Sequence, residues 1–227
     1  MSHLESPSSP DELYRYRGAD IPRARPVFQG DVFRNVEIPG LNDGRGLAMI
    51  TTHACTMRNG ASLRPRLLMA RVTPRSTRIG LPWTGNFRVM PLPDLLLGEA
   101  PGNWVATFED LGTVGSATLD LRERIACLDD RGVVLLQQRH AHHVTRYVVE
   151  TPVLYEQCSN VLAEAELLED WIDASCPEDD PHWEDSSTKE AERFEEYFGS
   201  HREGLKDPSL RASIRRAVSR EIAQRFG

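Results

Sequence analysis

Apolar and polar residues alternate from Val32 to Ile38, the period of a half-buried strand. The turn cluster Pro39-Gly40-Leu41-Asn42-Asp43-Gly44 follows, and Leu47–Thr52 is then apolar on both faces, as a central strand would be. The pattern predicts a loop over Arg58–Pro65 and a third strand over Arg66–Val72. A fourth is expected over Thr84–Met90, after a Gly/Pro-rich connection, and a fifth over Trp104–Asp110. Beyond it the spacing lengthens to between three and four. Leu119, Ile125 and Leu128 predict one short helix, and Val133, Leu136, Gln137 and His140 a second, entered through Asp129-Asp130-Arg131. Upstream, Pro7, Pro10, Pro22 and Pro26 predict an irregular leader over residues 1–26, with one helical turn near Asp11–Tyr16.

From residue 151 the chain reads as a punctuated helical extension. Val161–Ile172 keeps an apolar stripe at helical spacing, and Cys176–Ser187 reads as an acidic linker. Ser187-Thr188-Lys189-Glu190 has capping-box spacing ahead of Ala191, Phe194, Tyr197 and Phe198. Asp207-Pro208 suits an N-cap and first turn for a last helix over 208–226. That helix carries Leu210, Ile214, Ala217, Val218 and Ile222 on one side, a stripe that would pack on the chain's own body or enter a partner's groove. The expected organisation is a leader over 1–26, a strand-rich body over 27–150 and an acidic helical extension over 151–227. The fold class is α+β, a small barrel-like sheet with short helices.

Charge changes this picture. Residues 1–150 hold 18 basic against 16 acidic side chains, whereas residues 151–227 hold 9 against 18. Between Arg45 and Pro93 there are eight arginines, no lysine and no carboxylate. Only Lys189 and Lys206 occur in the chain, so a general preference for arginine explains the choice of cation but not the missing acids. Apolar strands flanked by arginines, with no carboxylate competing for them, suit a surface that meets a polyanion. The acidic extension would then lie against that surface as a restraint, or serve a partner. No apolar run approaches the ~20 residues that span a bilayer, and the N-terminus lacks the regions of a signal peptide, so a cytoplasmic protein without a membrane partner is expected. Cys55, Cys127, Cys158 and Cys176 form no CxxC pair and read as free thiols.

Three motifs carry a family resemblance: Gly30-Asp31-Val32, Gly44-Arg45-Gly46-Leu47-Ala48-Met49-Ile50, and Leu68-Met69-Ala70-Arg71-Val72-Thr73-Pro74-Arg75. In order and spacing they resemble the MazF/PemK-like SH3-like barrels, many of them toxin endoribonucleases. The region of Thr113 and Arg124 is similar to that family's closing strand and helix. The resemblance implies an SH3-like barrel, metal-independent RNA cleavage without a cofactor, a toxin or phage-defence setting, and a homodimer through the barrel. It carries Arg45 and Thr73 over as a catalytic pair. Such a pair suits attack by a ribose 2′-hydroxyl, in which a cation holds charge on the phosphorane and a hydroxyl orients the phosphate. The chain departs from the family where Gly46 replaces a proline and where Thr51–Arg58 replaces a simple loop.

The remaining candidates come from residue chemistry. His53 is a candidate proton carrier and Cys55 a candidate reactive thiol, activated if the surrounding arginines lowered its pKa. Arg58, Arg71, Arg75, Arg78 and Arg88, with Trp83 and Phe87 as stacking aromatics, are candidate contacts for single-stranded RNA or another nucleic acid. Each has a structural alternative: Arg45 as a turn arginine, Thr73 as a strand terminus, His53 as a hydrogen-bonded residue, Trp83 and Phe87 as core. Arg139-His140-Ala141-His142-His143 reads as the cationic end of a helix. No zinc template is matched, and P-loop, GxGxxG, HExxH and GxSxG patterns are absent. The competing function is a non-catalytic barrel module that joins a larger defence complex through its terminal helices.

Overall fold

The computed structural model describes residues 3–41, 44–59, 62–77, 79–96 and 102–227. The elements are β1 Tyr14–Arg17, β2 Val32–Glu37, β3 Arg45–Ile50, α1 Ala54–Met57, β4 Arg58–Asn59, β5 Ser62–Leu63 and β6 Arg66–Arg75. They continue with β7 Val89–Pro93, β8 Asn103–Gly115, β9 Arg124–Leu128, α2 Asp130–Thr145, α3 Thr151–Ser175, α4 Trp183–Phe198 and α5 Pro208–Phe226. The fold is α+β. The chain forms two compact units, one of Met1–Ile21, Phe28–Met57 and Arg64–Gln157, the other of Pro22–Val27, Arg58–Leu63 and Cys158–Gly227. Among the described residues no helix is long and apolar enough to cross a membrane.

The first unit is built on a seven-stranded antiparallel sheet ordered β1-β9-β2-β3-β6-β8-β7. Its ladder is open, so the expected barrel does not close through backbone hydrogen bonds. Pro91 and Pro93 on β7 have no N–H to offer a further strand, which suits an edge. Side chains span the two edges instead. Tyr14 Oη donates to Pro93 O at 3.0 Å, and Arg17 Nη1 donates to Asp94 O at 2.7 Å. Tyr14 is buried, and this desolvation pushes its phenol far above the usual range, so it stays a donor at physiological pH.

Three expectations are corrected here. The leader is not irregular throughout, because Pro10–Leu13 forms a 3-10 turn and β1 pairs with β9 through Tyr14↔Leu128 and Tyr16↔Cys127. The expected short helix near Ile125 is β9, whose five residues are all buried. A strand covered on both faces has no period of two, so its apolar run is ambiguous between strand and helix. Residues 84–88 precede β7 rather than forming part of it. In α2 the expected entry holds, since Asp129 caps the helix by accepting from Gly132 N.

Gly30-Asp31-Val32 has a structural reason. Gly30 sits at φ +90°, and a Cβ there would lie 2.6 Å from the Leu128 side chain. Asp31 Oδ2 accepts from Phe28 N and from Arg124 Nη1, each at 3.0 Å, in a buried ion pair that ties the start of β2 to β9.

The second unit is mainly helical, with the two-stranded β4–β5 pair. Trp171 of α3, Phe194 and Phe198 of α4, and Ile214 and Val218 of α5 share one apolar core, against which Tyr197, Ile222 and Phe226 pack. Ile214, Val218 and Ile222 of the α5 stripe are thus taken up within this unit, while Leu210 at its start is exposed. Asp207 caps α5 as expected, accepting from Ser209 N. The expected capping box is not one: α4 starts at Trp183, and Ser187 Oγ donates to Glu184 O inside the helix. Many carboxylates are met by cations of the same unit. Arg202 holds Glu164 and Glu195 at 2.7 and 2.6 Å, Arg215 holds Glu166 at 2.6 Å, and Arg25 makes a buried pair with Glu169 at 2.9 Å.

Asp31→Ala is expected to lower stability by about 3–5 kcal/mol, because it leaves the buried Arg124 guanidinium without its carboxylate. Adding Arg124→Met should recover much of that loss in chemical denaturation. Equal losses for single and double variants would show that the pair itself is of little consequence.

Candidate functional site

β3 and β6 are neighbours, paired through Leu47↔Val72, Ala48↔Arg71, Met49↔Ala70 and Ile50↔Met69. Opposed residues share a face of the sheet and successive residues alternate. Arg45 therefore lies on the face of Leu47 and Val72, whereas Thr73 lies on the other face with Arg71 and Ala48. The two do not share a groove. Arg45 is exposed at the start of β3, its guanidinium 3.4 Å from Asn35 O. His53 follows the other end of that strand, whose five steps alone span roughly 17 Å. The expected trio Arg45, Thr73 and His53 is therefore not brought together.

His53 and Cys55 form a local turn. Cys55 N donates to His53 Nδ1 at 3.3 Å, and Thr56 Oγ1 donates to His53 O at 2.9 Å. Partial burial lowers the His53 pKa, which favours the neutral imidazole. Cys55 is the one exposed thiol of the four. Its pKa is raised by desolvation, with its own backbone N–H opposing, so the expected activation by arginines is reversed.

Among the candidate nucleic-acid contacts, two are corrected to structural roles. Arg71 is buried and donates to Gly44 O at 2.9 Å. Its guanidinium lies over Gly46, where a Cβ would meet Nη1 at 2.5 Å, which accounts for glycine at that position. Trp83 is also buried, with the Arg139 guanidinium 5.2 Å from its ring, so it offers no platform to a base. Arg58 is half-buried in the second unit, 3.4 Å from Val27 O. Arg78 lies outside the described residues. Arg75 and Arg88 remain exposed.

Those two arginines meet at one cleft. It is open, about 540 Å³, and lined by Arg75, Asn86, Phe87, Arg88, Val89, Glu109 and Arg146. Arg75 Nη1 donates to Asn86 Oδ1 at 2.8 Å. Arg88 pairs with Glu109 at 3.1 Å, both largely exposed, so this ion pair is weak. Arg146 caps α2 in the left-handed conformation, φ 66°, with its N–H on His142 O. Phe87 is 47% exposed, and its ring centroid is 5.2 Å from that of His142. Burial, helped by Arg146 and Arg139, lowers the His142 pKa and keeps this ring neutral near pH 7.

The cleft's shape depends on a residue that the helix-end reading did not separate from its neighbours. Arg139 is fully buried, with Nε donating to Val89 O at 3.1 Å and Nη2 to Asn86 O and Gly85 O at 2.9 and 3.3 Å. Burial pushes its pKa down to about 10, which leaves it cationic at neutral pH. One cation thus fixes the turn that presents Asn86, Phe87 and Arg88. Arg146 was also missed, and its approach to Arg75 and Arg88 leaves no mark in local sequence. His140 and His143 pack against Phe108, at ring distances of 5.2 and 5.7 Å. Among the described residues no three His, Cys, Asp or Glu side chains group as a metal site requires.

Chemically, the cleft can hold an anion between guanidinium groups and a flat apolar ring beside it. In comparisons with known proteins the chain matches no family model and no curated protein.

Arg139→Met should destabilise the first unit by about 3 kcal/mol or more, because buried carbonyls lose a charged donor, and should shift Trp83 emission. Iodoacetamide should label Cys55 alone in the native protein, with a rate whose midpoint in pH lies above the ordinary thiol value. A midpoint below that value would return Cys55 to the list of activated nucleophiles.

Proposed function

We propose that this protein binds nucleic acid, with single-stranded RNA as the favoured class, through exposed arginines of its first unit. One observation carries the reading: Arg45, Arg64, Arg66 and Arg75 are all exposed, and none of them pairs with a carboxylate among the described residues. Among the described exposed arginines in this stretch of the unit, Arg88 alone has an acid partner, supplied by β8. Unpaired guanidinium groups at a surface are available to phosphate oxygens without first losing an ion pair.

An SH3-like barrel of the MazF/PemK-like type is the finer form of this reading. The side chains of Tyr14 and Arg17, which span the two sheet edges, support it. A metal-independent endoribonuclease of a toxin or phage-defence system is its functional counterpart. The split of Arg45 from Thr73 removes the motif pair as its support, and cleavage then has to draw on other residues. The assembly-module reading draws on the helical unit. With Ile214, Val218 and Ile222 packed inside that unit, a partner of the 208–226 helix would meet its polar face, where Arg216 and Arg220 are exposed, and Leu210 at its start.

Fluorescence anisotropy of the full chain with a labelled mixed-sequence RNA tests the proposal. Binding should weaken with salt, with a log–log slope of about −0.7 for each phosphate neutralised. Salt-independent binding, or none at low salt, would reject it. RNA incubated with the same protein in a metal chelator tests cleavage, and at saturating RNA Arg45→Ala should leave any cleavage within about twofold of wild type, since Arg45 and Thr73 share no groove.

A further inference from the structure

We propose that the Arg75–Arg88–Arg146 cleft seats one unpaired nucleotide, its phosphate among the three guanidinium groups and its base against Phe87. The inference rests on the nucleic-acid reading above and assigns that reading a definite subsite.

Three elements supply the cations. Arg75 ends β6, Arg88 lies in the turn before β7, and Arg146 caps α2, so their convergence is a product of the tertiary fold. The usual preferences are reversed at this turn, with the Arg139 side chain of α2 fully buried beneath it and Phe87 47% exposed. Arg139 holds three carbonyl groups of the Gly85–Val89 turn, which presents the Phe87 ring from a fixed backbone. Preorganisation of this kind lowers the entropic cost of binding. His142 backs the Phe87 ring, and its depressed pKa keeps it from adding a fourth cation near neutral pH.

Selectivity follows from the same contacts. A cleft of about 540 Å³ has the scale of a small-ligand site. A base in a duplex is stacked on its neighbours and cannot reach the exposed ring, so an unpaired nucleotide is preferred. Among the described residues that line the cleft, Asn86 is the one neutral polar side chain with hydrogen-bonding groups. Its oxygen accepts from Arg75 and its amide donates to Thr84 O at 3.1 Å. With those groups engaged the site has little means of reading base edges, so binding should be tolerant of sequence. Glu109 is the competing anion on Arg88, and an incoming phosphate displaces it.

The test uses the full chain with four probes: a fluorescein-labelled single-stranded RNA 12-mer, the same sequence as DNA, its RNA duplex, and inorganic polyphosphate as competitor. Phe87→Ala should weaken both single strands about tenfold and leave competition by polyphosphate unchanged. Arg146→Ala should weaken single strands and polyphosphate alike, and make the salt dependence shallower. Phe87→Trp should retain binding and report it by quenching of the new indole. Phe87 and Arg146 are exposed, and an unchanged melting profile confirms folding of each variant. If wild type binds RNA but Phe87→Ala and Arg146→Ala bind equally well, the nucleotide seat is overturned while the nucleic-acid reading stands. Equal affinity for the duplex overturns the unpaired base. No binding of any nucleic acid by wild type removes the underlying reading itself.

Discussion

Three consecutive side chains of α2 hold the first unit's irregular segments in place. Gln137, Gln138 and Arg139 are all buried, continuing the apolar run Val133–Leu136 into the interior. Gln137 donates to Gln29 Oε1 at 2.9 Å, and Gln29 in turn holds Ala54 N and Thr51 O, which fixes the segment after β3. Gln138 accepts from Glu5 N and donates to Val149 O, which fixes the N-terminal segment and the chain leaving α2. Arg139 takes the carbonyls of the Gly85–Val89 turn. Backbone groups in loops have no ladder to satisfy them, and leaving them buried and unpaired costs about 1–3 kcal/mol each. One helix turn of long polar side chains supplies that missing hydrogen bonding to separate parts of the unit.

Two populations of arginine in this chain have different physics. Arg25, Arg71, Arg124 and Arg139 are buried and spend their donors on carboxylates or backbone carbonyls inside the protein. Truncating any of them leaves buried acceptors behind, so their effect is on stability. Arg45, Arg64, Arg66, Arg75, Arg88 and Arg146 are exposed, and their substitution should be nearly silent for folding. Guanidinium suits both uses, because its planar fork satisfies several acceptors at once and it is more weakly hydrated than an ammonium. The near-absence of lysine is consistent with the buried use as much as with the exposed one.

This division bears on how the cleft acquires its chemistry. Arg139, from the first population, shapes the turn, while Arg75, Arg88 and Arg146, from the second, face its opening. A buried cation thus organises exposed ones without touching what they would bind. The carboxylate that enters the site, Glu109, comes from β8, which pairs with β6 and β7 of the acid-free stretch.

The sequence by itself determined the α+β class, most of the strands, the N-caps of α2 and α5, and the arginine-rich, acid-free character of residues 45–93. These are legible because each depends on near neighbours: alternation along a strand, a capping carboxylate one turn from its N–H, local charge density. Tertiary structure decided the rest. β9 read as a helix because a strand buried on both faces loses its period, and β1 hid in a proline-bearing leader because its partner lies more than a hundred residues on. Arg71 and Trp83 looked like surface contacts, but their environments come from Gly44 and Arg139, which no local pattern specifies. Arg45 and Thr73 occupy motif positions at the right spacing, yet the register of β3 against β6 puts them on opposite faces. Which arginines converge on one cleft is likewise set by long-range pairing of strands and the end of a helix, and that information is distributed over the whole unit rather than held in any segment.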